Sequence, residues 1–359
     1  MLIGIHRAHH MKEDPILKVY ETICDHNGID YVRLDASQPD FWEQVSKLDL
    51  FIYRWAHVDN DHQLAKTILP VIENEMGIKC FPDLATSWHY DDKIKQYYLL
   101  KQHNFPIAQS WIFWDKKSAL EWAKTAELPV VFKLKGGAGS SNVVLVRSRS
   151  KLRRLIGRMF GPGIRSGHVD YFGSVRFRHF NLKKEARQYA IKARNFLYGR
   201  DISPFWQKHK NYVYFQKFLP GNDHDTRVTI TGERGFAFKR FVRPNDFRAS
   251  GSNMYDMNRD RIDMNLVEIG FQISEKLGFQ AMAYDFVYDE KGNPALLEMS
   301  YCYGDYPEYS TGYWDRDLKW HSGRYWPQYL ELMDALNRPD LKLPDLEVTS
   351  PYARAKIVE

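Results

Sequence analysis

Short apolar runs alternate with helical periodicity through the first 85 or so residues. Leu2–Ile5 and Asp30–Leu34 read as strands, and between them Pro15–His26 sets Ile16, Val19, Tyr20 and Ile23 on one helical face. Asn27-Gly28 supplies the stop. Leu48–Trp55 predicts a third strand and Asp61–Met76 a second helix, closed by Gly77. Alternating β and α elements predict a parallel, doubly wound sheet. No Gly-x-Gly-x-x-Gly follows the first strand, which argues against a dinucleotide site there.

From Thr86 onward the pattern changes from α/β to α+β. Asp91–His103 reads as a helix, Gln109–Trp114 as a strand, Ser118–Glu127 as a helix and Val130–Lys135 as a strand after Pro129. Asn142–Val146 is a further strand, and Lys183–Tyr198 has helical patterning. A third unit is expected from Tyr212, with strands at Tyr212–Phe218, Arg227–Thr231, Gly235–Val242, Ala281–Tyr288 and Ala295–Met299. One helix, Asp263–Leu277, ends at Gly278. The expected division is 1–86, 87–210, 211–336 and a tail at 337–359.

Composition narrows the class. Apolar residues make up 44% of the 359, enough for packed cores, and the aromatic share of 15% includes 22 Tyr and 10 Trp. Cys24, Cys80 and Cys302 are odd in number and widely spaced, which suits a reducing compartment and lacks zinc-ligand spacing. Met1–Ile5 runs straight into His6-Arg7 without a secretory pattern, and no apolar run reaches the roughly 20 residues of a bilayer span. The expectation is a soluble, cytoplasmic protein. Net charge is +6 overall, but residues 147–210 hold 17 Lys/Arg against three acids, a local +14 that leaves −8 elsewhere.

Three constellations carry candidate chemistry. Gly136 to Ser141, including Gly137, Gly139, Ser140 and Ser141, are six small residues after a strand. Their backbone N–H groups can wrap phosphate oxygens, although a plain hairpin turn reads equally well. It is not a Walker loop, because no Gly-Lys-Ser/Thr opens a helix. Lys133 and Lys135 share a strand face and favour the phosphate reading over two solvated lysines. Next, the turn Glu290-Lys291-Gly292-Asn293 predicts a hairpin with Asp289 opposite Pro294, hence Asp285 opposite Glu298, flanked by Val287 and Leu296. Like charges directly opposed destabilise a ladder. A divalent cation between them removes the conflict, and a shifted register or a lysine partner would do so as well. Last, Arg227, Lys239, Arg240, Arg243 and Arg248 fall within 22 positions, as a solvated sheet face or as fixed positive charge for a phosphorylated intermediate.

These pieces stand in an order that resembles the ATP-grasp superfamily, in particular the branch with ribosomal-protein glutamate ligase and D-alanine–D-alanine ligase, over roughly Thr86 to Gly304. Asp92-Lys93, with Tyr98-Leu99-Leu100 and Phe105-Pro106-Ile107, is similar to the segment bearing the family's first phosphate-binding lysine. Pro129-Val130-Val131-Phe132-Lys133 and the Gly/Ser loop resemble the second-lysine strand and its phosphate loop. Gln216-Lys217-Phe218-Leu219 is similar to the strand bonding the adenine edge, with Asp223 or Asp225 near the ribose. Asp225-Thr226-Arg227 and Asp246-Phe247-Arg248 resemble the glutamate-ligase branch, and Asp285 and Glu298 match the magnesium ligands. Ser300 stands where the family has Asn, which opens the number of Mg²⁺ ions, and Gln216 stands where Glu is frequent.

The resemblance implies two α+β subdomains clamping ATP, Mg²⁺ as cofactor, and a carboxylate activated as an acyl phosphate before an amine attacks. Lys133 and Mg²⁺ would offset the phosphate charge, with Arg227, Arg248 and Lys239 in catalytic roles. The substrates would be a small carboxylate and an amine, with an amino acid, a uronic acid or a sugar nucleotide as candidates. The basic segment 147–210 reads as a site for an anionic acceptor, as a peripheral contact to an anionic membrane face, or as a solvated helical lid. The aromatic stretch Tyr301, Tyr303, Tyr306, Tyr309, Tyr313, Trp314, Trp320, Tyr325 and Trp326, with Asp315 and His321, reads as a sugar-acceptor site or as packing. Packing against the third unit is the plainer account, and similarity of this stretch to ATP-grasp proteins that accompany surface-polysaccharide assembly favours a carbohydrate carboxylate or an amino acid as substrate. Rival readings are a phosphotransferase and a non-catalytic ATP-binding module. Nucleic-acid binding ranks below both, since the basic block follows no stacking motif.

Overall fold

The computed structural model describes residues 1–7, 14–55, 59–137, 142–165, 190, 208–243, 246–250, 252, 254–303, 311–345 and 356–357. The N-terminal unit is a parallel sheet of β1 (Leu2–His6), β2 (Asp30–Leu34), β3 (Leu50–Ile52) and β4 (Lys79–Phe81), in the order β2-β1-β3-β4. Strand alternation divides its faces. Ile3, Ile5, Leu50 and Ile52 pack with Leu17, Tyr20 and Ile23 of the helix Pro15–His26. Phe51 and Tyr53 pack with Ala65, Ile68 and Leu69 of the helix Asp59–Pro70 on the other face. The doubly wound expectation holds. The second helix, however, stops at Pro70 and continues as a wider turn over Val71–Glu75. Proline has no N–H to give the preceding turn. The fourth strand has only three residues, too short for an alternation to register in the sequence.

The second sheet is antiparallel and joins β5 (Ser110–Phe113), β6 (Val130–Lys133) and β7 (Val143–Val146) to β10 (Val213–Lys217), in the order β5-β10-β6-β7. The helices Lys116–Thr125 and Arg149–Met159 cover it, with Leu152, Leu155 and Ile156 in its core. Two residue pairs, β8 (Ile164–Arg165) and β9 (Lys208–His209), form a separate ribbon. The strand expected to open the third unit, β10, therefore closes the second. It pairs with β5 and β6 on its two sides, and only after Phe218 does the chain cross to the next sheet.

The third sheet runs β15 (Pro294–Ser300), β14 (Ala281–Tyr288), β11 (His224–Thr231), β12 (Arg234–Phe241), β13 (Met254–Asp256), β18 (Lys356–Ile357). A small hairpin, β16 (Gly312–Trp314) with β17 (Trp320–Ser322), attaches to β12. The helix Met264–Leu277 covers one face and approaches closely at Gly270, where an added Cβ would lie 3.0 Å from Val228 Cγ1. The tail expected at 337–359 contributes β18, parallel to β13. In the aromatic stretch the described rings pack. Tyr301 Oη accepts from Trp55 N at 3.0 Å and donates to Trp55 O at 2.9 Å, and Tyr303 donates to Glu331 Oε1 at 2.7 Å. Asp315 and His321 pair with each other at 2.6 Å. Tyr306, Tyr309 and the helical pattern of Lys183–Tyr198 lie outside the described residues. Among the described residues no helix is long and apolar enough to cross a membrane.

Candidate functional site

A cleft with about 140 Å³ of internal space lies between the second and third sheets. Val131, Lys133 and Val143 line it from the second sheet, and Lys217, Phe218 and Leu219 from the crossing segment. Asp225, Asp285, Val287 and Glu298 line it from the third, with Phe247 and Arg248 from the loop beyond β12.

Two lysines stand at the charged end. Lys93 opens the helix Lys93–Gln102, whose first turn is capped by Asp92 through Ile94 N and Lys95 N. Its ammonium meets Glu298 Oε1 at 3.0 Å and donates to Gly137 O at 3.0 Å. Burial alone would lower its pKa, but Glu298 and Asp91 outweigh that and hold it above the ordinary lysine value. Lys133 ends β6 with 7% exposure, and burial, reinforced by Lys93, pushes it down to about 8. Among the described residues its ammonium has no hydrogen bond or ion pair. Lys135, expected on the same face, lies beyond the strand and meets Asp92 at 3.5 Å.

The carboxylate pair is present. Asp285 pairs directly with Glu298, yet the hairpin that brings them together is not the one expected. Tyr288, not Asp289, pairs with Pro294, and Val287 faces Ala295. Continued without interruption, that register would put Asp285 opposite Leu297. A β-bulge after Phe286↔Leu296 leaves Leu297 unpaired and restores Glu298 to the partner position. The like-charge conflict is resolved by cations of the protein. Arg227 bonds Asp285 through Nε at 2.8 Å and Nη2 at 3.0 Å, and Arg240 Nη2 reaches it at 2.7 Å. Although burial opposes ionisation, these two guanidinium groups hold Asp285 well below the usual carboxylate range.

The remaining expected residues fall into three groups. Gln216, Lys217, Leu219, Asp225, Gly137 and Arg248 line the cleft. Within that group, Asp225 is held bidentately by Arg240 at 2.7 and 2.8 Å, and Arg248 by Asp246 at 2.8–3.0 Å. Lys217 extends toward Glu290 at 3.7 Å, and Gln216 donates to Tyr214 Oη at 3.1 Å. Lys239, Asp223 and Ser300 do not line the cleft. Lys239 neighbours the inward Arg240, so strand alternation sends it to the opposite face. Asp223 is exposed and hydrogen-bonded to His224 Nδ1 at 2.5 Å, and Ser300 donates to Cys302 O at 3.2 Å. Gly139, Ser140 and Ser141, with most of segment 147–210, lie outside the described residues.

From the sequence Arg240 stood only as one of five clustered cations, and Asn142 was not singled out at all. Arg240 is the buried centre of the Asp225–Arg240–Asp285–Arg227 network, and the signal was available: Phe236 and Phe238 fix the inward phase of that strand. Asn142 closes the base of the glycine segment by donating to Gly136 O at 2.8 Å. Gly137 is required there twice, by φ of +108° and because an added Cβ would sit 2.0 Å from Asn142 Nδ2. Gly137→Ala should therefore displace Asn142 and cost about 1–3 kcal/mol of stability, read as a lower thermal midpoint.

The arrangement of the two sheets around the cleft matches the ATP-grasp fold of solved structures. The RimK domain ATP-grasp protein of Sphaerobacter thermophilus superposes at TM-score 0.50 with 13% identity, covering 84% of this chain and 91% of that one. D-alanyl-alanine synthetase A of Vibrio cholerae does so at TM-score 0.52 and 11% identity, covering 84% and 89%. Among curated proteins, the alpha-aminoadipate–LysW ligase LysX of Saccharolobus solfataricus is 23% identical over 254 residues, 70% of this chain and 73% of that protein. No family model matches the chain.

The donor set suits magnesium of a particular kind. Among the described residues no three His, Cys, Asp or Glu side chains cluster as an all-protein metal site. Asp285 already accepts three N–H contacts, whereas Glu298 is engaged by Lys93 through Oε1. Two opposed carboxylates, one with coordination capacity to spare, fit an ion that completes its shell with substrate phosphates and water.

Proposed function

We propose that this chain is an ATP-dependent carboxylate–amine ligase working through an acyl phosphate. The observation that carries the reading is the convergence of Lys93, Lys133, Asp285 and Glu298 at one end of a cleft whose other end is the crossing segment Lys217–Leu219. ATP lies along the cleft, with the adenine edge against the backbone of Lys217 and Leu219, beside Gln216, and the phosphates under Gly137. Lys93 and Lys133 place positive charge beside the β- and γ-phosphates, where charge grows during transfer. Glu298, with Asp285 opposite, is the candidate holder of one Mg²⁺, which when bound neutralises phosphate charge. Ser300 is assigned no metal role, because it does not line the cleft.

The substrate carboxylate oxygen attacks the γ-phosphorus and ADP departs. The amine nitrogen then attacks the acyl carbon, inorganic phosphate leaves, and the nitrogen loses a proton to give the amide. Arg248, at the rim, is the candidate to meet the substrate, whereas Arg227 acts by fixing Asp285. The name of the curated relative puts amino-acid carboxylates first among acids to test. Uronic acids, and with them a part in polysaccharide assembly, form the second arm.

The test is ADP release with Mg-ATP against both arms of the panel, with hydroxylamine to capture an acyl phosphate as hydroxamate. Carboxylate-dependent ADP with hydroxamate is expected. Phosphorylated product without hydroxamate would replace the ligase with a phosphotransferase, and tight ATP binding without turnover would favour a binding module. Glu298→Gln, which removes the charge but keeps the shape, should lower turnover by about a hundredfold or more, with a modest fall in thermal midpoint because the buried Lys93 loses its carboxylate. Activity within tenfold would remove Glu298 from the metal role.

A further inference from the structure

Asp91 stands outside the set of residues assigned above, and its geometry is unusual. It adopts φ of +50°, a left-handed conformation uncommon for a residue with a side chain. Its carboxylate is 9% exposed. Oδ1 accepts the Gly137 N–H at 2.7 Å, and Oδ2 lies 3.3 Å from His62 Nε2. Two residues on, Lys93 holds the carbonyl of the same glycine at 3.0 Å. Both peptide groups of Gly137 are thus fixed by one short stretch, Asp91 to Lys93, while Asn142 holds Gly136 O from the far side. The neighbouring glycine is shaped to this contact, since a Cβ on Gly136 would lie 3.1 Å from Asp91 Oδ2 and 3.2 Å from Asp91 O.

His62 comes from the N-terminal unit, on the helix Asp59–Pro70. Its ring stacks on Tyr90 at 5.4 Å and 27°, and edges Trp55 at 6.3 Å. The ring is therefore held in orientation by packing, with Nε2 toward the carboxylate. Burial opposes the charge on Asp91, but the bond to His62, the nearby Lys93 and the Gly137 N–H outweigh it.

We infer that Asp91 is a positioning residue that clamps the base of the phosphate-binding glycine segment, and that His62 ties this clamp to the N-terminal unit. Nucleotide affinity then depends on a helix that never touches the cleft. The clamp stands on geometry alone, whereas its effect on ATP rests on the nucleotide reading given above.

Two measurements on the full chain separate these. Hydrogen exchange at the Gly137 amide, without nucleotide, reads the clamp; calorimetric titration with ATP reads the consequence. Asp91→Gly removes the acceptor while relieving the left-handed backbone, and should speed Gly137 exchange and weaken ATP binding by about tenfold each. Asp91→Asn keeps an acceptor and tolerates the same φ, and should stay within about threefold of wild type in both. His62→Ala should speed Gly137 exchange by about threefold or more. Gly137 exchange within twofold of wild type in Asp91→Gly overturns the clamp, and unchanged exchange in His62→Ala removes the tie to the N-terminal unit. Faster exchange with unchanged ATP affinity overturns the nucleotide half. A wild-type chain that binds no ATP sinks the ligase reading instead, and the exchange result still decides the clamp.

Discussion

Replacing Asp285 with alanine is expected to cost the folded chain about 3–5 kcal/mol, seen as a lower denaturant midpoint at unchanged m-value. The residue receives Arg227 and Arg240, and Arg240 is 3% exposed. Removing the shared carboxylate leaves two buried guanidinium groups with Asp225 as the remaining acid in that network. Asp285→Asn keeps one acceptor oxygen and should cost less. The loss has a pH signature. Asp285 is held well below the ordinary carboxylate value, so the unfolded chain takes up its proton first on acidification. Its contribution is complete above the unfolded pKa of about 3.9 and drains away as pH falls toward the folded value. The gap between wild type and Asp285→Ala should be constant near neutrality and close below about pH 4. A difference under about 1 kcal/mol at pH 7 would mean that solvent reaches the arginines readily. Glu298, a third exposed and met by Lys93 where Asp285 receives two arginines, perturbs the fold less and is the better test of the metal site.

Lys133→Met should have the opposite character, removing turnover without harming the fold. Its ammonium is desolvated and, among the described residues, unpaired, which is how burial brings it down to about 8. A positive charge held for a phosphate is worth about 10²–10³ in rate where charge develops, so ADP release should fall by at least that factor. Folding stability should be unchanged or higher. The sign follows from proton uptake. Between about 8 and the ordinary lysine value of 10.5 the unfolded lysine holds a proton that the folded one has lost. Stability of the wild type therefore rises with pH across that window. The advantage of the methionine variant should be largest below pH 8 and fade toward 10.5. A variant that is markedly destabilised at pH 7 would overturn the view of Lys133 as a waiting, uncompensated charge.

The sequence was legible where chemistry is local. The βα alternation of the first unit, the glycine turn after β6 and the hairpin that carries Asp285 and Glu298 all depend on residues within a few positions of one another. Even there the agreement has two causes. The turn is one residue away from the expected pairing, and the bulge at Leu297 compensates. A bulge leaves no composition signal, because Leu297 is as apolar as its neighbours. Sheet membership was less legible. Whether Val213–Lys217 joins the sheet before it or after it depends on partners 85 and 106 positions upstream, Val131 and Ser110 opposite Gln216. Charge pairing across strands was also hidden. Lys239 and Arg240 are adjacent cations, and only the phase set by Phe236 and Phe238 separates the outward one from the one that binds two aspartates. Asp91 could be suspected only once its backbone was known to turn left-handed.

The seam between the two sheets lies beside that same bulge. Leu296 N donates to Pro106 O at 2.7 Å, and Leu296 O accepts from Ala108 N at 2.9 Å, so the chain entering β5 is stitched to β15 at one residue. Leu297 follows unpaired, and Glu298 comes next. The two carboxylates thus have different mechanical anchors. Asp285 is bolted to the interior of the eight-stranded sheet by two arginines, while Glu298 sits one loose link from the fulcrum and is roped by Lys93 to the glycine turn. Turning the second sheet about that fulcrum would carry Lys93 and the glycine turn with it and load Glu298 through Lys93, while Asp285 stays with its arginines.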